Sequence, residues 1–111
     1  MNPLNRAILA GRLVAAPEVR YTQNEEAVCL FRLAIRRGEE TDFIDCVAHG
    51  GLAKVCGEYL KKGKLVAVEG RLQIKTYTDK RGYKKSHTEI LVENMQMLDP
   101  KFYQSREEAK D

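Results

Sequence analysis

No stretch of this sequence stays apolar for long. Runs such as Ala7 to Ala10 and Leu65 to Val68 fall far short of the ~20 residues that a membrane-spanning helix needs, so no membrane partner is expected. The opening Met-Asn-Pro-Leu-Asn-Arg carries no basic lead followed by a sustained apolar segment, so no secretory leader is legible and the expected location is the cytoplasm. Cysteine is scarce: Cys29, Cys46 and Cys56 are odd in number and widely spaced, with 2 histidines in the chain. That pattern encodes neither a disulfide framework nor a zinc site, and three reduced, mostly buried thiols are expected. Tryptophan is absent altogether. There is no Gly-rich phosphate loop, and the carboxylates Asp42 and Asp45 have no nucleophile or histidine placed beside them on the strand. Cys46 and His49, three apart on a strand, point to opposite faces and cannot share a metal. No catalytic residue, metal or cofactor is therefore expected, and the chain reads as a non-enzyme.

What is present fits one small domain. The chain has 111 residues, 43% hydrophobic and 32% charged, a balance that suits a water-soluble globule with a single core. Net charge is only +3, but its distribution is uneven. Between Arg71 and Lys85 six basic residues stand against one acid, a local +5 that leaves the rest of the chain at −2. A concentrated basic segment of this kind favours an anionic partner.

The hydrophobic period then sorts the elements. Arg6 to Ala15 reads as a strand ended by Pro17, with a short extended return from Glu18 to Thr22. Ala27 to Arg37 alternates with period two: Cys29, Phe31, Leu33 and Ile35 share one face, and Val28, Leu30, Arg32, Ala34 and Arg36 the other. Thr41 to His49 repeats the pattern, setting Ile44, Cys46 and Ala48 against Phe43, Asp45, Val47 and His49. From Gly51 to Gly63 the apolar positions Leu52, Val55, Cys56, Tyr59 and Leu60 follow helical spacing, with Lys61, Lys62 and Lys64 expected to complement the helix C-terminus. Leu65 to Thr78 returns to period two, with Val66, Val68, Leu72 and Ile74 opposite Glu69, Arg71, Gln73, Lys75 and Tyr77. Gly70 predicts a bulge or bend. A turn at Thr78 to Gly82 leads into a last strand, Tyr83 to Leu98. Residues 1–99 are expected to form the domain, and residues 100–111, polar and with zero net charge, a disordered tail.

Three strands, one helix and two strands is the element order of an OB-fold, an all-β five-stranded Greek-key barrel with one helix. Its outward-facing residues combine flat rings and cations: Arg32, Arg36, Phe43 and His49 on the second and third strands, then Arg71, Gln73, Lys75 and Tyr77, with the hairpin cations Lys80, Arg81, Lys84 and Lys85. Bases stack on rings while Lys and Arg neutralise phosphates, so this set is expected to bind an unpaired nucleic-acid strand.

Several stretches also carry a family resemblance: Asn5 to Leu13, Pro17 to Thr22, Thr41 to Ile44, Leu52-Ala53 through Glu58 to Gly63, and Val68 to Leu72. In order and spacing they make residues 4 to 98 similar to the bacterial single-stranded DNA-binding protein family. The resemblance implies an OB-fold homo-oligomer, a tetramer before a dimer, that binds single-stranded DNA in replication, recombination or repair. It also implies stacking on Phe43 and Tyr77. His49 stands where the family has a large aromatic, and Arg36 and Arg37 lie near the position of a further family Trp, offering guanidinium planes instead. The end Glu107 to Asp111 lacks the apolar cap with which the family recruits replication and recombination proteins. Two alternatives stay open: a primosome-type OB-fold adaptor that mainly binds proteins, and a binder of single-stranded RNA, which would use the same surface.

Overall fold

The computed structural model describes residues 3–98. The expected tail, residues 100–111, lies outside the described residues. Six strands and one helix follow in the order β1 (Ala7–Leu13), β2 (Glu18–Tyr21), β3 (Ala27–Arg37), β4 (Glu40–His49), α1 (Gly50–Tyr59), β5 (Leu65–Thr78) and β6 (Lys84–Met97). The sheet runs β1-β5-β6-β4-β3-β2, and β1 pairs again with β3. That second pairing closes β1, β5, β6, β4 and β3 into a five-stranded barrel, leaving β2 as a short strand on the edge of β3. All ladders are antiparallel except β4 with β6. The architecture is the OB-fold expected from the element order.

Alternation dictates the core. Cys29, Phe31 and Leu33 of β3, Cys46 and Ala48 of β4, Val66 and Val68 of β5, and Ile90 and Val92 of β6 all turn inward and are buried together. Closure at the β1–β3 seam needs backbones in close approach. A Cβ on Gly11 would lie 2.6 Å from the Ala34 carbonyl oxygen, so only glycine fits there.

The bulge foreseen at Gly70 exists, but its extra residue is on the partner strand. Glu69 pairs with Asn94 and Gly70 with Val92, which leaves Glu93 unmatched in β6. β6 therefore changes which parity faces inward at that point, and Gly70 takes the tight spot against Leu91.

Several expectations are corrected. Leu72 and Ile74 keep the phase of Val66 and Val68 but are exposed, because past the bulge the β5–β6 ribbon has no layer beneath it. The helix stops at Tyr59, so Lys61, Lys62 and Lys64 lie beyond its last turn, which contains no basic residue. It buries Ala53 and Cys56, whereas Val55 and Tyr59 of the anticipated stripe face outward. His49 takes the N-cap position, without a side-chain cap bond. Val47, placed by alternation on the outer face, is buried.

Candidate nucleic-acid interface

The outer faces of β3, β4, β6 and β5 form one continuous wall, because their registers line up. Arg32 pairs with Asp45, Asp45 with Glu89, and Glu89 with Gln73, a single row across four strands. Side chains in such a row share a face. One step toward the hairpin stand Phe43 on β4 and the His87–Lys75 pair of β6 and β5. A further step brings Tyr77 opposite Lys85. The other direction leads to Val47, Leu91 and Arg71.

The two rings predicted as stacking platforms are open to solvent, Phe43 at 61% and Tyr77 at 54% of full exposure. Both lie on the wall that carries Arg71 and Lys75, and Tyr77 stands opposite Lys85. The residues brought together are thus Arg32, Phe43, Gln73, Lys75 and Tyr77, with Arg36 and Arg71 toward opposite ends. His49 is on the same face of β4, but six residues from Phe43, roughly 20 Å along a strand. Its Nδ1 lies 3.2 Å from Glu26 Oε1.

Charge on the wall is largely compensated within the chain. Arg32 binds Asp45 through Nε to Oδ1 at 2.6 Å and Nη2 to Oδ2 at 3.3 Å. Lys75 Nζ lies 3.1 Å from Glu89 Oε1, which also accepts from Gln73 Nε2 at 2.9 Å. Arg71 Nε lies 3.5 Å from Glu93. The guanidinium of Arg32 holds the Asp45 carboxyl below the usual carboxylate range, chiefly through its hydrogen bond. Arg36 donates to the Gly38 carbonyl at 3.3 Å, and Arg37 turns to Asp42 and Glu40 instead of a ring position.

Two wall residues escaped the sequence reading. Glu89 is buried to 5% exposure, and His87 Nε2 lies 3.1 Å from Asp45 Oδ2 and 4.0 Å from Glu89 Oε2. Alternation on the last strand, with Ile90 and Val92 inward, is the signal that places both on the wall. Among the described residues no group of three or more His, Cys, Asp or Glu is arranged to hold a metal, and no helix is long and apolar enough to cross a membrane.

The hairpin between β5 and β6 differs from the wall. Its turn is organised by Asp79, whose Oδ1 accepts from the backbone N–H of Arg81 and of Tyr83, both at 2.9 Å. With its only acid aimed at the backbone, the hairpin presents Lys80, Arg81, Lys84 and Lys85 with no ion-pair partner among the described residues. Rings and free cations therefore meet at this end of the wall, where Tyr77 lies.

Comparison with known proteins gives a concordant result. A relative from Halalkalibacterium halodurans, named single-stranded DNA-binding protein, is 44% identical over 110 residues, covering 93% of this chain and 66% of the relative. Single-stranded DNA-binding protein A of Bacillus subtilis is 45% identical, covering 88% of this chain and 61% of the relative. Single-stranded DNA-binding protein 2 of Listeria monocytogenes is 41% identical, covering 88% and 66% respectively. The chain spans under two thirds of the length of each of these relatives. Residues 4–98 match the family described as the single-strand binding protein family, the stretch that forms the barrel and its wall, and the chain belongs to that family.

Proposed function

We propose that the chain binds single-stranded DNA with little sequence preference, by stacking bases on Phe43 and Tyr77 and neutralising phosphates with the cations around them. It performs no reaction and needs no cofactor; the proposed location is the cytoplasm, in keeping with three buried thiols that form no disulfide. The observation that carries this reading is the exposure of both rings on one wall beside Lys75 and the free hairpin cations. A duplex hides its base faces, so such rings serve an unpaired strand. The binding set proposed is Arg32, Arg36, Phe43, His49, Arg71, Gln73, Lys75, Tyr77, Lys80, Arg81, Lys84 and Lys85, with the hairpin supplying most of the uncompensated charge.

A homo-oligomer, a tetramer before a dimer, is part of the proposal. Ile8 on β1 and the pair Leu72 and Ile74 on the back of the ribbon are exposed in the single chain, and apolar side chains left open in this way are suited to a second copy.

Fluorescence anisotropy of a labelled oligo(dT) at ~0.2 M salt tests binding, and sedimentation with and without the oligonucleotide gives stoichiometry. Submicromolar affinity is expected. Micromolar or weaker binding at that salt supports the protein-binding adaptor instead, and tighter binding of a matched RNA strand supports the RNA reading. The relatives' names favour neither alternative.

A further inference from the structure

Asp45 pairs with Glu89 in parallel register, so Phe43 and His87, each two residues earlier on β4 and β6, stand at the same level of the wall. His87 is also the register partner of Lys75 on β5. Its side chain is 44% exposed, so a strand that stacks on Phe43 and approaches Lys75 can touch it. We propose, resting on the single-strand reading above, that His87 is a phosphate-binding residue of this wall and makes the affinity pH-dependent, the strand being held more tightly once the imidazole is protonated.

The charged groups packed around His87 decide the effect. Arg32 of β3 takes both oxygens of Asp45 of β4, at 2.6 and 3.3 Å. Lys75 of β5 lies 3.1 Å from Glu89 of β6. Each of these pairs cancels itself, Gln73 is neutral, and Lys85, two residues from His87 on β6, stands across from Tyr77. His87 Nε2 lies 3.1 Å from Asp45 Oδ2 and 4.0 Å from Glu89 Oε2. A carboxylate that already holds a guanidinium cannot neutralise a second cation as well. The group formed by the two pairs and His87 is therefore neutral while the imidazole is neutral, and carries a surplus positive charge when it is protonated.

Donor chemistry points the same way. With Nε2 turned to a carboxylate, the neutral ring keeps its hydrogen there and leaves Nδ1 an acceptor, which phosphate oxygens, themselves acceptors, do not bind. Protonation places a hydrogen on Nδ1, which can then donate to a phosphate while Nε2 stays with Asp45. Histidine is the side chain that changes charge between pH ~5 and ~8. Asp45, held below the usual carboxylate range by Arg32, stays ionised across that interval. The other histidine, His49, pairs with Glu26 at the far end of β4.

The test is the dissociation constant for oligo(dT), measured by anisotropy at pH ~5.5 and ~8 on the wild type, His87→Gln and His87→Lys. Thymine and the phosphodiester keep their charge over that interval, so the probe does not titrate. One added phosphate contact contributes about 0.7 to the log-log salt slope, which is about five-fold in affinity at ~0.1 M salt, and the wild type is expected to bind tighter by that factor at the lower pH. His87→Gln should lose this ratio, and His87→Lys should bind at the higher pH as tightly as the wild type does at the lower. Either variant carries the test if the other fails to fold. A wild-type ratio under about two-fold, a ratio in His87→Gln within about two-fold of the wild type's, or a His87→Lys no tighter than the wild type at pH ~8 overturns the role of His87 and leaves the single-strand reading standing. Absence of oligo(dT) binding by the wild type at both pH values overturns that reading, and the role of His87 with it.

Discussion

Arg32 and Asp45 face each other directly across the β3–β4 ladder and join through two hydrogen bonds, at 2.6 and 3.3 Å. The pair sits in the middle of the wall, so a cation that the sequence offers to phosphate is already held by a carboxylate that repels it. Asp45→Asn is expected to tighten oligo(dT) binding and steepen its salt dependence by up to about 0.7 in the log-log slope, one further phosphate contact for a single strand. Stability should follow pH with a definite sign. The Asp45 carboxyl is shifted below its ordinary value of 3.8, so the stabilisation it provides is present above that value and lost as pH falls through its lowered one. The difference in thermal midpoint between wild type and Asp45→Asn should accordingly shrink below pH ~4. An unchanged salt slope would mean that Arg32 stays out of reach of phosphate even when freed.

Stacking predicts a different signature. Tyr77→Ala and Phe43→Ala are each expected to cost about 1–3 kcal/mol of oligonucleotide affinity while leaving the salt slope almost unchanged, since a ring releases no counterions. Anisotropy titrations at two salt concentrations separate affinity from slope. Unaltered affinity for Tyr77→Ala removes Tyr77 from the platform.

The unequal pairing of the cations yields a third expectation. Lys84→Ala and Lys85→Ala, on the unpaired hairpin, should each reduce the slope by about 0.7. Lys75→Ala should reduce it less, because Lys75 is already 3.1 Å from Glu89. Equal reductions for all three would show that bound phosphate displaces Glu89.

These differences mark the border of what was legible in the sequence. Period-two alternation locates Cys29, Phe31 and Leu33 in the core and Phe43 on the outside, because side chains on successive residues must part to opposite faces of a strand. The same rule misplaces Leu72 and Ile74, since alternation says which face a residue takes but not whether anything covers that face. It misses Val47 for the converse reason: the outer face of the barrel is itself locally covered there. Val55 and Tyr59 fit a helical stripe, yet α1 packs on β2, β3 and β4 through the smaller Ala53 and Cys56. The local +5 is visible as a count, but the neutralisation of Arg71 and Lys75 by Glu93 and Glu89 depends on β6 lying alongside β5, which composition cannot disclose.

The thiols offer a test of the core. Burial pushes Cys46 up to about 12 and Cys56 up to about 11, and raises Cys29 as well. Since the thiolate is the nucleophile, all three should be inert to a disulfide reagent at pH 8 in the native protein and react together once denatured. Rapid labelling of any one in the folded state would show that its strand opens locally. The sign for stability follows: protonated thiols favour the folded form, and that contribution declines as pH rises above the ordinary thiol value of 9.0.

Gly70 is the position at which the barrel tolerates least. A Cβ there would come within 1.9 Å of the Leu91 carbonyl oxygen and 3.1 Å of the Val92 Cα, both backbone atoms of the bulged β6. Neither can yield by a side-chain rotation, so Gly70→Ala must separate the two strands where the wall begins. The expected cost is about 1–3 kcal/mol, the scale of overpacking, or a drop in thermal midpoint of roughly 4–8 °C per kcal/mol for a domain of this size. Gly51→Ala is the control: nothing lies within 4 Å of its Cβ position, and it stands in the first turn of α1. That substitution should be neutral or gain up to about 1 kcal/mol from helix propensity. Thermal melts of the two variants at equal protein concentration decide the matter, and a Gly70→Ala midpoint equal to the wild type would mean that β5 and β6 are not in close contact at the bulge.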